Sequence, residues 1–146
     1  MPVSYNISPE LNIIIYVCEG PITGSDLFET AGIIFKDKRY KYGMVLLIDL
    51  LSATLDFGLE DMRRAITETN ATKEKGLEPE QIIILSQSTG IHLTCKTLNM
   101  MSIKEAIKLS AFHTLEQALI SLGLTMRQQE IIQFCHESKA VGQKIT

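Results

Sequence analysis

The sequence predicts an α/β fold: a mixed sheet of about five strands, opened by an antiparallel hairpin, covered by helices and followed by an extra C-terminal helix. Three observations predict it. Strand-length apolar segments alternate with segments of helical period along most of the chain. The first two strand segments are separated only by Ser8-Pro9-Glu10, too short a link for anything but a hairpin. Met44-Val45-Leu46-Leu47-Ile48 opens an apolar run bounded by turn residues, as in a strand buried on both faces.

Val3, Tyr5 and Ile7 alternate with polar residues, and residues 11–18 form the second strand, ended by Gly20-Pro21. Thr23-Gly24-Ser25-Asp26 supplies capping residues before Leu27, Phe28, Ala31, Ile34 and Phe35, which share one stripe of a helix over 25–36. Gly32 inside that helix costs roughly 1 kcal/mol against alanine, so it reads as a point of close packing. The basic stretch Lys36-Asp37-Lys38-Arg39-Tyr40-Lys41-Tyr42 reads as a solvated helix exit, where cations are favoured, in preference to a phosphate or acidic-partner site.

The central strand occupies 44–50, and a polar tail follows at its carboxyl end. Leu59, Met62 and Ile66 mark a second helix, with Glu60 and Asp61 in its first turn and Gly76 closing it. Ile82-Ile83-Ile84-Leu85 is a short buried strand, and Ser86-Gln87-Ser88-Thr89-Gly90 leads into a helix carrying Ile91, Cys95, Leu98 and Met100 or Met101. The last strand is expected over 107–112. Thr114 with Gln117, then Thr125 with Gln128, cap two closing helices, and 138–146 reads as a frayed tail. Residues 1–124 form one domain, and 125–146 pack on it or on a partner.

The composition sets bounds. At 146 residues, 45% hydrophobic and 21% charged, the chain suits one domain with a substantial core. A net charge of -3 and a pI near 5.6 argue against a broad nucleic-acid surface. Cys18, Cys95 and Cys135 are scattered without zinc-ligand spacing, so buried free thiols are expected and no metal or cofactor is implied. No segment reads as a signal peptide or membrane span, and a cytoplasmic protein is the expectation.

Three short motifs accompany this order of elements: Gly20-Pro21-Ile22-Thr23 after the hairpin, Tyr40-Lys41-Tyr42-Gly43 leading into Leu47-Ile48-Asp49-Leu50 and Ser52-Ala53-Thr54, and Ala111-Phe112 before Leu115-Glu116-Gln117-Ala118-Leu119. With them the chain resembles the SpoIIAA-like proteins, which have the STAS fold of sulfate transporters and anti-sigma-factor antagonists. The resemblance implies a STAS-like sheet and a role in protein association. Anti-sigma-factor antagonists carry a phosphorylatable serine after the central strand. Here the matching stretch is Asp56-Phe57-Gly58-Leu59, so the phospho-switch is not expected.

Asp49, Ser52, Thr54 and Asp56 end the central strand, and Ser86, Gln87, Ser88 and Thr89 end its expected parallel neighbour. Together they form a candidate contact edge, although hydroxyls and carboxylates of this kind also cap turns and helices. Phe28, Phe35, Met100 and Met101 are candidates for lining an apolar pocket. No nucleotide-loop or common hydrolase motif is present, and no catalytic residue is assigned; Asp49, Asp56 and His92 are the only groups left for hydrolytic chemistry. The expectation is a non-enzymatic interaction or regulatory module working with a protein partner or as a homodimer. The alternative is a domain that binds a small apolar molecule or lipid.

Overall fold

The computed structural model describes residues 3–79, 81–101 and 108–145. Its five-stranded sheet runs β1 (Val3–Ser8), β2 (Ile13–Thr23), β3 (Val45–Asp56), β4 (Gln81–Leu85) and β5 (Lys108–Phe112), in that spatial order. β1 and β2 are antiparallel, and the remaining neighbours are parallel. The hairpin turns through Asn12, whose φ of 58° is one that asparagine adopts more readily than most residues, and whose side-chain amide donates to the Gly43 carbonyl at 3.2 Å.

Strand order equals chain order, and that decides where the helices go. Right-handed crossovers between successive parallel strands all bring their helices back over the same face. Accordingly α1 (Gly24–Ile34), α2 (Leu59–Glu74) and α3 (Thr89–Met101) cover one face, while α4 (Leu115–Ser121) and α5 (Gln128–Ile145) follow the last strand and cover the other.

Side-chain alternation feeds both layers. Ile14, Tyr16, Cys18, Leu46, Ile48 and Leu50 face the first core, with Ile34 of α1. Ile13, Ile15, Val17, Val45, Leu47, Ile83 and Leu85 face the second, with Leu119 of α4 and Ile131 and Cys135 of α5. All three cysteines are buried free thiols, and burial pushes Cys18 and Cys135 up to about 12.

Several boundaries differ from the sequence reading. β2 does not stop at Gly20-Pro21 but continues to Thr23, because Gly20 takes a φ of 67° and lets the strand run on beside β3. α1 ends at Ile34, and a Cβ on Gly32 would meet nothing within 4 Å, so that glycine marks no close packing. Close approach falls instead at Gly24, where a Cβ would sit 2.6 Å from the Asp61 side chain of α2. Residue 107 of the expected last strand lies outside the described residues.

α5 follows a 3₁₀ turn at Thr125–Arg127 and runs through the expected tail to Ile145. What holds it there is tertiary. The buried Ser138 hydroxyl donates to the Phe134 carbonyl at 2.8 Å and accepts from the Asn6 amide of β1 at 3.1 Å.

Candidate functional site

β3 outruns its neighbour. Its last rung with β4 is Asp49 against Leu85, yet the strand continues through Asp56, paired only with β2. An irregularity after the Val17–Asp49 rung, resuming at Glu19–Ser52, inserts an extra residue into β3 and reverses its facing pattern. Leu46, Ile48 and Leu50 point into the first core before it, whereas Ala53 and Leu55 do so after it. Ser52, Thr54 and Asp56 are therefore exposed, beside Leu51 at 38% exposure. The stretch expected as a polar tail beyond the strand is half of a two-stranded ribbon, and its edge toward β4 carries no strand among the described residues.

The ribbon separates the expected contact edge into parts. Asp49 is 3% exposed and turns into the second core, where Lys139 Nζ of α5 stands 2.9 Å from its carboxylate and Leu51 N–H donates to it at 2.9 Å. Asp56 lies about 20 Å further along the strand at the usual rise per residue. Ser86 and Ser88 serve the turn before α3: Ser86 Oγ accepts from Ser88 N–H at 3.0 Å, and Ser88 Oγ from Ile91 N–H at 3.3 Å. Gln87 donates to the His113 carbonyl at 2.7 Å, and Thr89 opens α3 in an exposed position.

His92 and His113, distant in sequence, stack with ring centroids 4.3 Å apart, and His92 Nε2 lies 2.8 Å from the Ser86 carbonyl oxygen. Asp49, Asp56 and His92 share no hydrogen bond or ion pair among the described residues. No group of three or more potential metal ligands occurs among those residues either.

A second site lies under α2. No residue of that helix is buried, and between it and the sheet is a cavity of about 180 Å³. Phe28 and Phe35 of the expected pocket line it, together with Tyr16, Ile48 and Ile84 of the sheet and Ala65 of α2. Met100 does not; it is 74% exposed on α3, and the side chain of Met101 lies outside the described residues.

Tyr16 is the polar residue on the sheet side of this cavity, whereas Glu68, Thr69, Thr72 and Asn99 are the polar residues that the helices bring to it. Tyr16 is 2% exposed, and its hydroxyl makes no hydrogen bond to a described residue. The fully enclosed polar side-chain atom without a partner among the described residues is Glu78 Oε2. The Tyr16 hydroxyl therefore keeps an accessible face, and the open space beside it is the cavity. Desolvation holds its pKa well above the ordinary phenol value, so it stays protonated and able to donate.

The sequence matches no family model and no curated protein. Among solved structures it is similar to an uncharacterized protein of the DUF3478 family from Shewanella loihica PV-4, described as having a SpoIIAA-like fold. The TM-score is 0.53 at 16% identity, covering 82% of this chain and 91% of that one. This chain has a SpoIIAA-like fold.

Within that fold, the stretch aligned by resemblance with the phosphorylatable serine carries no hydroxyl. Asp56-Phe57 leads to Gly58, whose N–H donates at 2.9 Å to the Asp61 carboxylate and so caps α2. The nearest hydroxyls of β3, Ser52 and Thr54, sit on the ribbon's exposed face. Sequence reasoning passed over Tyr16, although a lone hydroxyl inside Ile13-Ile14-Ile15-Tyr16-Val17-Cys18 was a usable signal. It also passed over Lys139, which no local pattern ties to Asp49. No helix of the described residues is long and apolar enough to cross a membrane.

Proposed function

We propose that this chain is a non-enzymatic STAS-like module that works by association, pairing with a second copy of itself along the β3 ribbon. The open edge of β3 past Asp49 carries the reading. An unpaired strand edge presents N–H and C=O groups to another chain, and proteins usually guard such edges with charge. Residues 50–55 carry no charge, and their exposed members are Leu51, Ser52 and Thr54. Antiparallel self-pairing about Ala53 and Thr54 would send the two Asp56 carboxylates to opposite ends, so no like charges meet.

Sedimentation velocity over a wide concentration range tests it. The wild type is expected to dimerise reversibly, and Thr54→Lys to remain monomeric with an unchanged circular-dichroism spectrum. A wild type that stays monomeric at millimolar concentration, or a Thr54→Lys protein that dimerises equally well, would contradict it.

The cavity under α2 favours a second reading, a binding site for a small apolar molecule. Its support is the apolar wall and the helix that spans it without burying a residue. The two readings use different faces and are compatible in one molecule.

A further inference from the structure

We infer that the cavity under α2 takes a compact, uncharged, ring-sized apolar molecule bearing one hydrogen-bond acceptor, which the Tyr16 hydroxyl receives. The inference rests on the second reading above and names the ligand's chemistry. Size comes first. An apolar cavity of about 150 Å³ is enough to hold benzene, so about 180 Å³ suits a substituted single ring and is too small for a whole lipid.

Charge comes next. Among the described residues that line the cavity, Glu68 is the one carboxylate, and none is a lysine, arginine or histidine. Arg64 of α2 stands at the edge of the cavity, already engaged with two of its lining residues, Phe28 and Glu68. Its guanidinium lies 4.6 Å from the Phe28 ring centroid, 3.4 Å from Glu68 Oε1 and 3.4 Å from Ser25 Oγ. A carboxylate ligand would meet Glu68 and find no free cation among the described lining residues, and an unpaired charge in an apolar site is strongly disfavoured.

Polarity completes the description. The Tyr16 hydroxyl has no partner among the described residues and faces the cavity, so a ligand carbonyl or ether oxygen there would accept its hydrogen bond. Tyr16 projects from the middle of β2, between β1 and β3, so the acceptor points to the sheet and the ring of the ligand lies under α2.

Three probes of equal heavy-atom count separate these statements: acetophenone, cumene and benzoate, titrated calorimetrically into the wild type, Tyr16→Phe and Ala65→Met. In the wild type both neutral probes are expected to bind, acetophenone with a hydrogen bond that cumene cannot make. Benzoate is expected to bind at least about a hundredfold more weakly than acetophenone. Tyr16→Phe should weaken acetophenone about fivefold, the worth of one neutral hydrogen bond, while leaving cumene unchanged. Ala65→Met, which fills the space from α2, should weaken both neutral probes.

Tyr16→Phe leaving the ratio of acetophenone to cumene affinity unchanged, or benzoate matching acetophenone in the wild type, would each overturn the inference while the cavity reading stands. Binding of neither neutral probe up to its solubility would overturn both. If Ala65→Met fails to fold, the Tyr16→Phe comparison decides alone, since that change removes one oxygen and keeps the ring.

Discussion

Asp37 sits where the helix-to-strand loop meets β1. Its carboxylate accepts from Tyr5 Oη at 2.9 Å, from Arg39 Nε and Nη2 at 3.2 and 3.0 Å, and from Arg39 N–H at 2.9 Å. The Arg39 guanidinium holds the Asp37 carboxyl well below the usual carboxylate range, while burial and the Asp37 contact push the Tyr5 phenol up. The unfolded chain therefore binds more protons than the folded one at acid pH. The stabilisation is full above about pH 4, where the unfolded carboxyl is ionised, and is lost as pH falls through the lower folded value. Because Arg39 is half exposed, the whole contribution is about 1 kcal/mol after solvent screening. Urea unfolding at a series of pH values should show Asp37→Asn less stable than wild type at neutral pH and the gap closing below about pH 4. A gap that stays constant with pH would show that the ionised carboxylate is not what stabilises. In the sequence this basic stretch read only as a solvated helix exit, because the pairing of Tyr5 with Asp37 is a tertiary contact.

At the scale of elements, the two glycines of α1 make opposite predictions. Gly24 lets the first turn of α1 approach Asp61 of α2, so Gly24→Ala should destabilise by about 1–3 kcal/mol through overpacking. Gly32 faces open space at ordinary helical φ, so Gly32→Ala should stabilise by about 0.5–1 kcal/mol. Thermal melts of the two variants check both signs. Helices and strands were legible where hydrophobic period and capping residues agree. Thr23 does accept from Asp26 N–H, and the Gln81–Leu85 strand stands where its apolar run puts it. The ribbon was not legible as a strand. Ser52-Ala53-Thr54-Leu55-Asp56 has the period of two that a half-buried strand needs, but the extra residue after Asp49 reverses the facing pattern and hides the continuity. The same reversal turns Asp49 and the ribbon's hydroxyls to separate surroundings, which residue order alone does not reveal.

At the scale of the whole molecule, the fold follows from one topological fact: strands added in chain order put three crossover helices on one face and leave the other to α4 and α5. α5 is fastened across the sheet by the Lys139–Asp49 ion pair, in which Lys139 is 38% exposed and Asp49 nearly enclosed. Lys139→Ala should cost about 2 kcal/mol in chemical denaturation by leaving that carboxylate without its cation, and adding Asp49→Asn should recover part of the loss. The sheet's faces carry helices and α2 roofs the cavity, and the exposed ribbon is the surface on which the proposed self-association rests. Amide hydrogen exchange at residues 50–56, compared between dilute and concentrated protein, tests that claim most directly. Self-pairing predicts that protection rises with concentration along those residues, while the sheet interior is unchanged. Exchange that is equally fast at every concentration, or protection that rises elsewhere, would contradict it.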